Sequence, residues 1–397
     1  MLTALTEEGK MVHLIYSKNI KYLSILRKNH SFYCPQCQEE VILKIGKIKI
    51  PHFSHKSNST CTNSEPESEV HLQGKVDLYK WLKHIGFSVE IEKYLMEIRQ
   101  RPDLFVRKNG KEYAIEFQCS PIQYKDIKRR SLGYFSLNII PIWILGGEPY
   151  QKKFQLINNL FQLSDFQWAF TQYNRQNGMH IYSYSPKTKR VILLSQLTPI
   201  TTRKIFAYQS DYPLSSLDFP FDFANDQLSI IDYDFWFYEK KNWIQNKMLF
   251  AKNLNDPFLS EVYHNKHSPL LLPPFIGIPV PFMTICKTNS VIWQYYLWLD
   301  GIESLSAGDK INLMNLRRNF EKRVKNGCIK LRDMPLIQID FKNHMIYHYL
   351  KHLSFLGIIK ELEKGSFIMN KSNSFPNNIE EVQRMEVELS KKLDIKS

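Results

Sequence analysis

The chain has no run of eighteen or more apolar residues, so no transmembrane helix is expected. Its opening residues, Met1-Leu2-Thr3-Ala4-Leu5-Thr6-Glu7-Glu8, lack the basic start and long apolar core of a secretory signal. A cytoplasmic location is therefore expected. No internal repeat is present, so a stacked-repeat architecture is not expected. No long polybasic tail exists, which argues against an anchor on a membrane surface. Cysteine is scarce, at six in 397 residues. Cys34, Cys37 and Cys61 fall together near the start. In a reducing compartment that clustering reads as metal ligation rather than disulfide bonding. Cys119, Cys286 and Cys328 have no partner spacing and read as packed thiols.

What the chain does have is positive charge. Its formal net charge is +14 and its pI is about 9.3. A plain solubility charge is one reading. A polyanionic partner is the sharper one, because Lys and Arg contacts to phosphates supply salt-dependent affinity. Charge alone does not separate DNA, RNA and acidic membrane. A hydrophobic content of 43% is ordinary for a globular protein, and the length suffices for two or three domains with their own cores. Changes of character divide the chain at 1–63, 64–150, 151–285 and 286–397.

Residues 1–30 read as opening β-structure, and 31–62 carry the Cys/His cluster. Residues 58–66 are polar, and Ser64 stands three positions before Glu67, the spacing of a capping box. A helix is expected from there through Val70, Leu72, Val76, Leu78, Tyr79, Trp81 and Leu82, stopping near Gly86. A strand over 87–95, one at Asp103, one ending at Glu116 and a basic helix over 124–137 follow. The apolar run 138–145 reads as a buried strand. The order is helix, three strands, helix, strand. Residues 180–194 suggest a hairpin turning near Pro186–Lys189. The proline-rich residues 256–284 are also apolar and read as an ordered extended segment.

The densest chemical signal lies at Arg101-Pro102-Asp103 and Glu116-Phe117-Gln118. Asn109-Gly110 between them is a strong hairpin signal, and two strands joined there bring Asp103 and Glu116 together. Adjacent carboxylates repel unless a cation lies between them. Hard oxygen ligands suit magnesium or manganese, and such a site in a basic protein points to phosphodiester chemistry. Ordinary hairpin salt bridges are the bland alternative.

Pro102-Asp103 with Glu116-x-Gln118 resembles the signature of the PD-(D/E)xK nucleases, with Gln in the usual Lys position. Cys34-Pro35-Gln36-Cys37, His52-Phe53-Ser54-His55, Glu67-Ser68-x-x-His71, Ile115–Ser120 and Pro141–Gly146 further resemble the competence protein CoiA family. The resemblance implies an α+β or α/β fold: an N-terminal zinc-binding β segment, a restriction-endonuclease-like αβββαβ core and a mainly helical C-terminal region. It also implies a role in natural transformation, acting on incoming DNA. Asp103 and Glu116, with the Phe117 carbonyl, would hold magnesium or manganese, and Glu67 would complete the shell. Gln118 cannot take up a proton but can orient a water. Lys75, two turns from Glu67 on one helix face, would supply the missing charge, and His71 shares that face. On the following basic helix, Lys128, Arg129 and Arg130 are candidates for phosphate contact and Tyr134 for base stacking. A solvated charged face is the alternative there.

The spacing Cys34-x2-Cys37-x14-His52-x2-His55-x5-Cys61 is a zinc signal. Five candidates compete for four places. Cys34, Cys37, His55 and Cys61 are favoured, with His52 the alternative, and four protein ligands make a structural site. Near the C-terminus, a helix over 337–356 followed by a short hairpin resembles the end of a winged helix, with His348, Lys351 and His352 toward DNA; a plain helical domain contacting a protein is the alternative. Three functions follow: a metal-dependent nuclease; a non-catalytic DNA-binding module assisting a recombinase or its loader on single strands; and a restriction-like endonuclease.

Overall fold

The structure is a computed structural model that describes residues 1–16, 19–46, 50–57, 59, 61, 67–147, 151–152, 159–221, 231–250, 256–370 and 375–396. The N-terminal unit is a five-stranded antiparallel sheet. Its strands are β1 (Thr3–Thr6), β2 (Met11–His13), β3 (Phe32–Tyr33), β4 (Glu40–Lys44) and β5 (His52–His55), in the order β2-β1-β3-β4-β5. Alternation sets its core: Val41 and Leu43 of β4 and Phe53 of β5 point inward, with Phe32, Cys34 and Cys61. The expectation of β-structure over 1–30 fails at α1 (Ile20–Asn29). There the Asn19 side chain accepts a hydrogen bond from the Tyr22 backbone N–H, an N-cap that starts a helix.

The expected helix is α2 (Glu69–His84). Its N-cap is Ser68, whose hydroxyl accepts from the His71 N–H at 3.1 Å; the Ser64 capping box lies outside the described residues. Then come β6 (Ser88–Ile91), β7 (Leu104–Lys108), β8 (Lys111–Gln118), α3 (Tyr124–Ser136) and β9 (Ile140–Gly146). The αβββαβ order stands as expected. The β7–β8 turn is Asn109-Gly110, both at positive φ (52° and 73°), as a tight hairpin turn requires. Helix α2 covers one face of this sheet through Leu72, Leu78 and Leu82 against Ile115, Phe117, Ile142 and Ile144. Helix α3 covers the other, where Tyr134 packs with Phe105, Ala114 and Ile139.

The sheet does not end at β9. Strands β10 (Gln151–Lys152), β11 (Leu160–Gln162), β12 (Gln172–Asn174), β13 (Gly178–Ser185), β14 (Arg190–Pro199) and β15 (Lys204–Pro213) extend it, with the short helix α4 (Asp165–Trp168) between β11 and β12. β13 runs parallel to β9, and the ten strands follow the order β10-β11-β15-β14-β13-β9-β8-β7-β6 with β12 beside β13. The β13–β14 hairpin turns where the sequence places it.

Helices α5 (Tyr233–Leu249), α6 (Pro257–His264) and α7 (Ser290–Gly301) lead into the C-terminal region. The proline-rich segment opens as helix α6, because Asp256 caps it and Pro257 occupies its first turn. Beyond it the chain is buried and tied down: the Gln294 carboxamide accepts from the Gly277 and Ile278 N–H groups and donates to the Ile278 carbonyl. The aromatic run of α7 is core, with Trp293, Tyr295, Tyr296 and Trp298 buried. Next come β16 (Lys310–Ile311), α8 (Leu313–Lys325), α9 (Lys342–Phe355), β17 (Ile359–Glu363) and β18 (Ser366–Met369). The sheet order β16-β18-β17, threaded by α7, α8 and α9, is the connectivity of a winged helix. Helix α10 (Ile379–Lys396) closes the chain. No helix among the described residues is long and apolar enough to cross a membrane.

Gly74 sets how closely α2 approaches the sheet. A Cβ there would lie 2.0 Å from the Phe117 ring, and Phe117 is fully buried. Gly74→Ala gains about 1 kcal/mol of helix propensity but forces an overpacked contact costing about 1–3 kcal/mol. A net loss of stability is expected in denaturant titration, and a stabilised variant would show that the contact relaxes freely.

Candidate active site and metal centre

Two clusters of chemically capable side chains meet where the N-terminal unit docks on the αβββαβ core. The first is the Cys/His group. The donor atoms of Cys34, Cys37, His55 and Cys61 all lie within 4.8 Å of one another. Strand parity explains the choice of histidine: in β5, Phe53 and His55 face the core while His52 and Ser54 face away. His52 Nδ1 instead meets the Ile50 carbonyl at 2.9 Å. Burial pushes the Cys37 thiol up to about 12, with the neighbouring Cys34 adding to it. Burial, and the nearby Arg101, lower His55, which keeps its imidazole neutral and able to ligate. Three sulfurs and one imidazole fit zinc, and among the described residues no other His, Cys, Asp or Glu joins the group.

The second cluster lies at the mouth of the β7–β8 hairpin. Leu104 pairs with Ile115, so Asp103 and Glu116 flank the next step of the ladder, as the hairpin predicts. They leave it toward different helices. Asp103 turns to α2: its Oδ2 accepts from the Phe117 N–H at 2.9 Å and meets His71 Nε2 at 3.1 Å, while Lys75 Nζ stands 3.7 Å away. Glu116 lies on the alternate face with Ala114 and meets α3: Arg130 Nε donates to it at 3.0 Å, and the Tyr134 hydroxyl donates as well. Burial raises Glu116 despite the Arg130 guanidinium, and the Asp103 charge adds to the rise. Burial would raise Asp103 too, but His71 and Lys75 outweigh it and hold it well below the usual carboxylate range. Burial opposes charge on His71, yet Asp103 prevails and raises it.

Helical spacing brings His71 and Lys75 to one face of α2, whereas Glu67, expected on the same helix, precedes the Ser68 cap and reaches that face through Lys75. Lys75 Nζ donates to both Glu67 oxygens at 2.8 Å and is fully buried. Gln118 points away, donating to the Ser120 carbonyl at 2.6 Å. So Lys75 stands beside Asp103 together with His71, and Gln118 does not.

Two expectations for α3 need correction. Tyr134 is fully buried with its hydroxyl on Glu116, so its ring has no free face for a base. Arg130 is committed to Glu116 and to the Arg101 carbonyl. Lys125, Lys128 and Arg129 are the exposed cations of that helix, the last two paired loosely with Asp333 and Asp126 at 3.5 Å each.

Two residues at this junction carry no role in the sequence reading. Glu92, buried at φ 51°, accepts from the Leu2 and Thr3 N–H groups and the Thr3 hydroxyl and pairs with Lys75 at 2.5 Å. Arg101, also buried, lies with its Nη1 4.0 Å from Cys34 Sγ. Burial opposes its charge, but Glu92 and the cysteine group raise it. Arg101 precedes Pro102-Asp103 and so marks itself by position, whereas Glu92 gives no local signal. The amine of Met1 also lies 3.2 Å from Glu67.

A mixed αβββαβ core with buried carboxylates at its hairpin, joined to a Cys3His-bearing β segment, defines a nuclease-like protein with an N-terminal metal-binding unit. Comparison agrees in detail. Models of the competence protein CoiA N-terminal domain, nuclease-like domain and C-terminal domain match residues 15–64, 67–227 and 231–382 in succession. The Competence protein CoiA of Bacillus subtilis (strain 168) is 27% identical over 362 residues, covering 91% of this chain and 94% of that protein. No solved structure matches. The chain belongs to the CoiA family.

Proposed function

We propose that the protein is a metal-dependent deoxyribonuclease of natural transformation, acting in the cytoplasm on incoming DNA before or during recombination. The observation that carries this reading is a set of largely buried ionisable groups at the hairpin mouth of a nuclease-like core: Asp103 and Glu67 with Lys75 and His71 on the α2 side, and Glu116, which feels the Asp103 charge, on the α3 side. Carboxylate oxygens are hard donors of the kind that suit magnesium or manganese. Asp103, Glu116 and Glu67 are the residues that would hold magnesium or manganese, which when bound polarises a phosphate and acidifies a water. Lys75 keeps a positive charge beside Asp103, where Gln118 supplies none. His71, tied to Asp103, can hold or pass a proton at Nε2. Arg130, held by Glu116 and the Arg101 carbonyl, would keep Glu116 oriented and balance its charge. Zinc on Cys34, Cys37, His55 and Cys61 is structural in this reading.

A second reading is favoured by a specific observation. Each of these carboxylates already faces a cation of the protein itself: Lys75 for Glu67, His71 and Lys75 for Asp103, Arg130 for Glu116. A core neutralised internally suits a DNA-binding module that assists a recombinase or its loader on single strands. Purified protein incubated with end-labelled single- and double-stranded DNA separates the two. The nuclease reading expects products with magnesium or manganese, none with EDTA, and a loss of at least a hundredfold in Asp103→Ala. Binding without products under every metal condition would replace it with the module.

A further inference from the structure

The C-terminal region has winged-helix connectivity, and in such units the third helix is the usual reader of DNA. Here that helix, α9, is occupied. Lys351 pairs with Glu361 of the wing at 2.6 Å, and Tyr347 donates to the same carboxylate. Lys342 pairs with Glu321 and Asp340. His348 packs against Phe282, and His352 Nδ1 meets the His348 carbonyl. The residues expected to face DNA are engaged within the protein.

Helix α8 is different. Its thirteen residues, LMNLRRNFEKRVK, hold five cations and one acid. The acid, Glu321, is taken by Lys342, and Arg323 is taken by Glu261 and Asp300. Arg318, Lys322 and Lys325 are exposed and fall at i, i+4 and i+7, forming one stripe about 10 Å long. Lys322 and Lys325 have no ion pair among the described residues, and Arg318 donates only to the Asn315 side chain. The buried Nε of Arg317 has no hydrogen-bond partner among the described residues. Beside the stripe opens a cleft of about 550 Å³ lined by Lys310, Asn312, Asn315, Arg318, Asn319 and Lys322 among others. Its one carboxylate, Asp300, is already spent on Arg323. Free cations interleaved with carboxamide donors match the oxygens of a phosphodiester backbone.

We infer that the α8 stripe and its cleft form a second DNA-backbone site, separate from the carboxylate centre, that holds a strand by its phosphates without reading sequence. The inference rests on the reading of the protein as one that handles DNA, but not on cleavage. A strand held here is anchored on the same folded body as the carboxylate site, because α3 and the C-terminal helices share one core.

The test is fluorescence anisotropy of the full-length protein in EDTA, with labelled thirty-residue single strands and duplexes of unrelated sequence in separate arms. The triple variant Arg318→Ala/Lys322→Ala/Lys325→Ala is expected to bind about tenfold more weakly or worse. The slope of log affinity against log salt should shrink by about 2 on single strands, as for three lost phosphate contacts. The loss should be equal across sequences. Lys351→Ala, which breaks a pair on α9, is expected to stay within about twofold. The three side chains are exposed, and an unchanged circular dichroism melt confirms that the variant is folded. Unchanged affinity and slope would overturn the inference and leave the stripe to another polyanion, such as an acidic protein face. A larger loss from Lys351→Ala would also overturn it, in favour of α9. Because EDTA removes cleavage from the assay, failure of the nuclease reading would show separately, as binding without products.

Discussion

Lys75→Met is expected to cost the folded protein about 3–5 kcal/mol, the loss seen when one member of a buried ion cluster is removed. Lys75 has no exposed surface, and its ammonium stands against Glu67 at 2.8 Å, Glu92 at 2.5 Å and Asp103 at 3.7 Å. Methionine fills the volume but leaves three carboxylates facing one another in a poorly solvated pocket. Burial alone would raise Glu92, but Lys75 outweighs it and brings it down to about 2. The same balance sets the pH dependence. A carboxyl whose folded pKa is depressed contributes stability above its unfolded value and loses it as pH falls through the folded one. Glu92's contribution is therefore complete above roughly pH 5 and is lost as pH falls through about 2, while those of Glu67 and Asp103, which are held lower still, persist to more acid pH. Urea titration at pH 7 should show the loss. Lys75→Met/Glu92→Gln should recover part of it, because the most enclosed of the three charges is then gone. If the single variant costs under about 1 kcal/mol, water reaches the cluster and Lys75 is not its keystone.

How much of this arrangement was readable in advance depends on whether the determining contact is local. The hairpin was, because Asn109-Gly110 can take the positive φ values of a tight turn. The face shared by His71 and Lys75 was, because helical spacing alone produces it, whereas Glu67 precedes the Ser68 cap and joins them only through its ion pair with Lys75. The preference for His55 over His52 agrees with two-residue alternation in β5. Glu92 was not readable: in Val89-Glu90-Ile91-Glu92-Lys93 it looks like another solvent-facing acid, and only its turn back to Leu2, Thr3 and Lys75 makes it a buried hub. Arg130 and Tyr134 were misjudged for a related reason. Their spacing on α3 is correct, but whether that face meets solvent or the sheet depends on Glu116 pointing toward α3, a tertiary fact. On α9, the basic residues suggested a nucleic-acid face, while Glu361, ten residues beyond Lys351 and across a turn, neutralises it.

The two metal centres are expected to part company under chelation. Thiolate ligands are soft and bind zinc tightly, with apparent binding energies of about 10–16 kcal/mol in small zinc domains. The hard-cation site of the nuclease reading leaves most of an ion's hydration shell in place and binds magnesium weakly. Purified protein should carry close to one zinc per chain, and brief EDTA treatment should stop any cleavage while that zinc stays. Added magnesium or manganese should restore cleavage. Cys37→Ser should behave differently. The N-terminal unit has a small core, and Cys34 and Cys61 belong to it, so loss of the metal removes much of what holds that unit together. The damage should not stop there. Arg101 links Cys34 to the segment bearing Asp103, and Glu92 grips the backbone of Leu2 and Thr3, so a loosened N-terminal unit should also disturb the carboxylate centre. Limited proteolysis should then cut Cys37→Ser early within its first sixty or so residues, and magnesium should not rescue it. If metal analysis finds no zinc in folded protein, the Cys/His group is only a cluster of thiols. If zinc rather than magnesium restores activity after chelation, the structural and catalytic roles assigned to the two centres are reversed.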